Sequence, residues 1–410
     1  MGKLKSSTVG TGAEVQALGA RGDGVTGDGR FVPGAVPGDR LLPDGTVQPG
    51  PNRVTPPCRH FGICGGCQIQ HAGEAVLAEF ARERCLRPLA ALGITPRETM
   101  PVHLSPPGTR RRATLRAARK AGGVHLGYSR QGAHELVDLG ECPVLHPCLF
   151  ALVPPIRRLL EPRLPARGAV SIAMTRVDQG VDLVLTDLGS ERLAEQEALI
   201  AFARAHGAAR LSISGPLGLE TLWAPEPPTI RLGGVAVPLP PGAFLQATAD
   251  GEAALVAAVS AACSAAHRVA DLFAGLGTFA LPLSSDARVH AVEGAGGAVA
   301  ALERAARMTG RQITTEHRDL FRKPMTAVEL DRFDAVVFDP PRAGAKAQTE
   351  ELARSRVPVA VAVSCNPATF ARDAERLVGG GYTLVQLWPV AQFRWSTHVE
   401  LVALFRREKR

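Results

Sequence analysis

Three cysteines fall in the pattern Cys58-x5-Cys64-x2-Cys67, within PPCRHFGICGGCQIQH, and Cys142 and Cys148 follow in ECPVLHPC. Pro56, Pro57, Gly62, Gly65 and Gly66 make the first run a loop whose backbone can fold round a compact object. Two thiolates separated by two residues reach one metal centre, and a third six residues upstream takes another corner. The fourth corner falls to Cys142 or Cys148. Four thiolates suit zinc or a [4Fe–4S] cluster, and spacing does not separate the two. Cys365 stands apart from these, in Ser364-Cys365-Asn366-Pro367, and Cys85 and Cys263 read as core.

A second set of reactive residues recurs downstream. Asp271, Glu293, Asp319, Asp339 and Cys365 are spaced by 20 to 26 residues, each about one strand-plus-helix unit. Each closes a short apolar run: VADL, VHAVE, the run before RDLF, AVVFD and VAVSC. In an open parallel sheet, ligands gather beyond the carboxyl ends of the strands, so these residues are expected along one edge of such a sheet. Asp271-Leu-Phe-Ala-Gly275-Leu-Gly277-Thr278 supplies a tight glycine turn against which a ligand can lie. A carboxylate just before that turn would repel a pyrophosphate and suits a cationic ligand. Glu293 is placed for ribose hydroxyls and Asp319 for an adenine amine. The pattern reads as S-adenosylmethionine rather than NAD. A cysteine at a strand end, once deprotonated, is a nucleophile. Asp339-Pro-Pro-Arg342 also occurs in enzymes that methylate exocyclic amines, which is the alternative reading of this edge.

The elements that must position these groups follow from the hydropathy pattern. Residues 13–48 alternate short apolar runs with Gly, Asp and Pro turns, as in a small β module. Residues 99–134 hold seven basic residues (Arg110, Arg111, Arg112, Arg116, Arg119, Lys120 and Arg130) and no acid, and predict a basic hairpin turning at Gly122-Gly123. Such a ribbon is suited to phosphate contacts. The terminal RREKR adds a smaller basic tail. From about residue 243 apolar strands alternate with helical runs, which predicts a doubly wound, mostly parallel sheet. The expected division is a small β module over 1–52, a central part with the cysteines and hairpin over 53–241, and the α/β part over 242–410.

With 410 residues, 45% apolar and 21% charged, the chain has a folded protein's composition, and its net charge of +8 favours a polyanionic partner. No apolar run reaches about 18 residues, so no ordinary membrane-spanning helix is expected. The opening MGKLKSSTVGTG has no apolar core of a secretory leader. A cytoplasmic monomer is expected. Only 5% of residues are aromatic, so backbone charge rather than ring stacking is expected to dominate contacts with a nucleic acid.

The stretches CRHFGICGGCQIQH, GAFLQAT, DLFAGLGTFALPL, AVEG, DPPRAG, SCNPATFARD and THVEL resemble the S-adenosylmethionine-dependent RNA uracil-5 methyltransferases, especially the iron–sulfur branch acting on 23S rRNA. The resemblance implies a Rossmann-like class I methyltransferase domain, a cysteine-cluster central domain and an OB-like TRAM module at the N-terminus, here short of its later strands. It implies methyl transfer to uracil C5 in RNA, with Cys365 as nucleophile and Glu400 as the base that removes the C5 proton. Cofactor positions would be Gln246, Phe273, Gly275, Gly277, Thr278, Glu293, Asp319 and Asp339. A [4Fe–4S] cluster, in preference to zinc, would sit on Cys58, Cys64, Cys67 and Cys142. A tRNA substrate is the alternative within the family. Thr248 and Thr278 stand where the family often has Asn.

Overall fold

The computed structural model describes residues 12–164, 168–188, 192–215 and 218–407. The opening basic stretch up to residue 11 and the last three residues of RREKR lie outside the described residues.

The largest sheet has nine strands. Its order is Ile313–His317, Arg288–Glu293, Arg268–Leu272, Ala335–Phe338, Val359–Ser364, Glu400–Arg407, Tyr382–Ala391 and Glu98–Thr99, with His103–Leu104 also paired to Tyr382–Ala391. The first five strands are mutually parallel, and Glu400–Arg407 runs antiparallel between Val359–Ser364 and Tyr382–Ala391. Side chains alternate between two cores because successive residues of a strand point to opposite faces. Val337, Val361, Val363, Val402 and Leu404 face one core, with Leu255 and Val259 from helix Ala249–Ala262 and Leu302 from Gly296–Thr309. Phe338, Ala360, Ala362, Leu401 and Phe405 face the other, against Cys85 and Leu89 of helix Glu74–Ala90 and Phe370 and Leu377 of Pro367–Gly379. Both faces are therefore covered, which is why these strands read as unbroken apolar runs. The expected doubly wound α/β class is present. Residues 74–104, on the central side of the expected boundary, contribute a helix and two short strands to this unit.

A six-stranded sheet carries the basic hairpin at its edge. Arg112–Lys120 pairs with Gly123–Gly127 on one side and Val170–Val177 on the other. Ala113, Leu115 and Ala117 point into its core while Thr114 and Arg116 are exposed. The hairpin is thus one edge of a packed sheet rather than a free ribbon. At the other end, residues 13–48 form five short strands in a sheet of their own. Asp39 of the Gly-Asp-Arg run organises that sheet. It is fully buried, accepts from the N–H groups of Val36 and Gly50, and pairs with Arg53.

Candidate active site

The five spaced residues do meet at one edge. Asp271 lies within its strand, Glu293 ends Arg288–Glu293, Asp339 follows Phe338, Cys365 follows Ser364, and Asp319 stands two residues past His317. Ser364 pairs with Leu401 across the antiparallel ladder. The next rung therefore sets Cys365 beside Glu400.

The glycine turn is built to leave room. Gly275 (φ +55°) and Gly277 (φ +91°) both adopt the left-handed region, where a Cβ is strained. A Cβ on Gly277 would lie 2.5 Å from Leu302 Cδ1, whereas one on Gly275 would meet nothing within 4 Å. Gly277 is thus glycine for packing, and Gly275 faces open space. The Gly275 N–H donates to Glu293 Oε2 at 2.9 Å, and the Ala295 N–H donates to Oε1 at 2.7 Å. Each Glu293 oxygen keeps a lone pair for a further donor. Asp319 accepts from the N–H of Phe321 at 3.0 Å, and the exposed Phe321 ring packs against Phe273 with centroids 5.4 Å apart. Phe273 is a non-glycine residue at φ +61°. Thr278 follows the turn, half-buried.

Burial raises the pKa of three acids in the crevice. Asp271 is fully buried, neither carboxylate oxygen has a hydrogen-bond partner, and burial followed by the charge of Asp339 pushes it well above the usual carboxylate range. Burial pushes Asp339 up to about 7. Burial, then Asp339, pushes Glu400 up to about 8, against the opposing pull of Gln392, Arg112 and Arg342. Cys365 rises to about 11, from burial and then from Glu400 and Asp339. Its loop is fixed by Asn366, which caps helix Pro367–Gly379 and donates from Nδ2 to the Arg342 carbonyl at 3.1 Å. The SCNP and DPPR turns are therefore one hydrogen-bonded unit.

Gln246 is buried and donates from Nε2 to Asp339 Oδ2 at 3.4 Å, while Arg111 Nε donates to its carbonyl at 3.0 Å. Thr248, two residues on, has a local task. Its hydroxyl caps helix Ala249–Ala262 through the Gly251 N–H at 3.0 Å and meets the Ser105 hydroxyl at 3.0 Å. A capping hydroxyl suffices at that position. His398 is exposed, with Arg342 Nη2 3.4 Å from its Nδ1.

Three groups were missed from sequence. Gln392 is buried between Gln246, the Ala247 N–H and Glu400. Phe244, next but one to Gln246 in GAFLQAT, leaves its ring 63% exposed, and the Arg112 guanidinium lies over it at 4.3 Å. One aromatic face thus flanks the crevice despite the chain's poverty in rings. The three consecutive arginines diverge: Arg110 lines the cysteine cavity, Arg111 is buried on Glu252, and Arg112 faces Phe244 and Glu400. Part of the basic surplus is consequently internal.

The second constellation lies on loops. Cys58, Cys64, Cys67 and Cys142 line one cavity, with Tyr128, Arg110 and Gln70 among its other walls. Cys148 does not line it, and its thiol instead meets His146 Nδ1 at 3.0 Å. Burial raises all four cavity thiols, Cys67 to about 12. Among the described residues no three His, Cys, Asp or Glu side chains are grouped tightly enough to hold a single metal ion. The cysteine loop also reaches the crevice. The N–H groups of Gln68 and Ile69 donate to the Trp395 carbonyl at 2.8 and 3.1 Å, on the loop that leads into Glu400.

Residues 240–408 match the tRNA (Uracil-5-)-methyltransferase family. A protein of Zymomonas mobilis described as an RNA methyltransferase is 47% identical over 390 residues, covering 95% of this chain and 98% of its own. The 23S rRNA (uracil(1939)-C(5))-methyltransferase RlmD of Halomonas elongata is 34% identical over 434 residues, covering 95% of this chain and 88% of its own. The crystal structure of Pyrococcus abyssi tRNA (uracil-54, C5)-methyltransferase with S-adenosyl-L-homocysteine superposes with a TM-score of 0.75 at 22% identity, over 96% of this chain and 100% of that one. No helix of the described residues is long and apolar enough to cross a membrane.

Proposed function

The chain belongs to the RNA uracil-5 methyltransferases, and from that premise we propose that it methylates C5 of a uridine in 23S rRNA through Cys365 and Glu400. The observation that carries this reading is the rung that sets a strand-end cysteine beside a buried glutamate at the edge of the sheet. S-adenosylmethionine, when bound, supplies an electrophilic methyl group and leaves as S-adenosylhomocysteine.

The fit of that cofactor rests on the crevice itself. Gly275 opens onto space that a side chain would fill, Glu293 is pre-set by two backbone N–H groups, and Asp271 is a buried carboxyl with no partner. A lining of neutral or ionised carboxyls suits a sulfonium and an ammonium. Gln246, Phe273, Gly275, Gly277, Thr278, Glu293, Asp319 and Asp339 are the residues we assign to it.

The chemistry of this chain's residues follows. Uracil C5 is a weak carbon nucleophile. The Cys365 thiolate adds to C6, forming an S–C6 bond and moving the C5=C6 electron pair into an enolate. C5 then accepts the methyl group. Glu400 takes the C5 proton, and the released pair restores C5=C6 and expels the thiolate. A base whose pKa lies near the working pH is best matched to that proton transfer, and Glu400 at about 8 meets the condition. Phe244 under Arg112 offers a stacking face beside the crevice.

We further assign Cys58, Cys64, Cys67 and Cys142 to a [4Fe–4S] cluster, in preference to zinc. The four thiols line one cavity and are the residues that would hold the cluster. Its task is structural: it holds the loop whose N–H groups grip Trp395. The five-strand N-terminal sheet is read as a TRAM-like module.

RNA carrying 5-fluorouridine tests the mechanism, because fluorine at C5 cannot leave as a proton. A covalent adduct dependent on S-adenosylmethionine and on Cys365 is expected. No adduct with the unaltered protein sinks the reading. A tRNA preference would appear as adduct with tRNA and none with rRNA fragments.

A further inference from the structure

We propose that Gln392 is a positioning residue that holds Glu400 ready to take the proton and fixes the direction in which the Gln246 amide faces, an inference that rests on the reading above. Gln392 follows strand Tyr382–Ala391 and is 2% exposed. The Ala247 N–H donates to its Oε1 at 2.9 Å. A main-chain N–H can only donate, so this contact decides which end of the Gln392 amide is oxygen. The Nε2 end then faces Gln246 Oε1 at 2.7 Å, and donates to it. That in turn leaves the Gln246 Nε2 end to face Asp339. Orientation thus passes from a backbone N–H through two amides to the carboxyl of the DPPR turn.

Val390 is the ladder partner of Glu400, so Gln392, two residues on, lies on the same face of the sheet, and its second N–H favours the Glu400 carboxylate. An amide has one carbonyl and two N–H groups, and here each is used: Ala247, Gln246 and Glu400. The niche is built for this side chain, since a Cβ on Gly251 would stand 2.7 Å from the Gln392 Cβ. The other ionisable groups facing Glu400 are Asp339, Arg112 and Arg342, with Cys365 and Cys85 across from it. Of the neighbours that favour the ionised base, Gln392 is the one without a charge of its own. It can hold the proton acceptor in place without offering a competing site for the proton.

The test separates addition from proton removal. With 5-fluorouridine RNA the reaction halts before Glu400 acts, whereas turnover on uridine RNA needs it. Gln392→Met is expected to slow fluorouridine adduct formation only severalfold, the cost of releasing the Gln246 amide. Its turnover on uridine RNA should fall tenfold or more, with the acid limb of the turnover–pH profile displaced to higher pH and the covalent intermediate accumulating. Gln392→Asn, which keeps an amide but shortens its reach, should show the same split in smaller measure, and it serves if the Met variant melts below the assay temperature. Equal losses in adduct formation and turnover, or no loss in either, overturn the proposal. An unaltered protein that forms no adduct would instead overturn the mechanism on which the proposal rests.

Discussion

The strand-end crevice and the cysteine cavity are both lined by acids that are wholly or partly buried, yet they are built in opposite ways. In the crevice Asp339, Cys365 and Glu400 stand on or just beyond regular strands, and burial raises the pKa of each. In the cavity the four thiols come from turns that surround a common space. Proton transfer needs groups that can gain and lose a charge in fixed places, which a sheet edge provides. Permanent binding of a cationic object needs donors that can close round it, which glycine-rich loops provide. Burial of acids is common to both; the rigidity of the mount distinguishes them.

The largest expected effects break the crevice. Cys365→Ala should abolish turnover and remove the fluorouridine adduct, read by gel shift after denaturation. Glu400→Gln should slow turnover by about 10²- to 10⁴-fold, the range of a positioned base, while the adduct now accumulates on ordinary uridine RNA. An adduct absent from both variants would show that Glu400 is needed before the base step.

The pH dependence sharpens the contrast. Turnover limited by Glu400 should rise as pH passes through about 8. Stability should run the other way. Glu400 and Asp339 ordinarily ionise near 4.5 and 3.8, but in the fold only near 8 and 7. The folded state therefore binds the extra protons between those values, and melting temperature should fall as pH rises across them. A melting curve flat from pH 5 to 8.5 would contradict the burial of these acids.

The cavity has its own discriminating pair. Cys142→Ser should remove visible absorption at about 400 nm from protein purified without air, and Cys148→Ser should keep it. The reverse result would move the fourth ligand to the thiol beside His146. The smallest effects come from the glycine turn. Gly277→Ala should cost about 2 kcal/mol through strain and the clash with Leu302. Gly275→Ala should cost about 1 kcal/mol but weaken S-adenosylmethionine binding more, as calorimetry would show.

Much of the crevice was legible because a buried parallel strand writes itself as a short apolar run, and the residue that ends it is placed by the topology. Asp271, Glu293, Asp319, Asp339 and Cys365 were found that way. Glu400 came through its resemblance to a known motif, since nothing in THVEL alone marks a base. Gln392 was not legible at all. Its partners Gln246 and Ala247 lie about 145 positions away, and a glutamine that closes a strand has no signature of its own. The choice between Cys142 and Cys148 was likewise hidden, because loops, unlike strands, do not announce which way their side chains turn. The internal use of Arg111 went unseen for the same reason: charge along a sequence does not say which cation faces a buried carboxylate such as Glu252.

The strand that begins at Glu400 comes after Tyr382–Ala391 in the chain, yet lies between it and Val359–Ser364. During synthesis on the ribosome, the proposed nucleophile, the glycine turn and the carboxyls assigned to the cofactor are therefore all made before the proposed base. The growing sheet must keep a slot open until the final strand slides in. A chain released early would own a place for the methyl donor and a thiol to attack with, but no means of letting the product go. On the proposed mechanism, insertion of that strand turns a half-built enzyme, able only to become stuck to its RNA, into a catalyst.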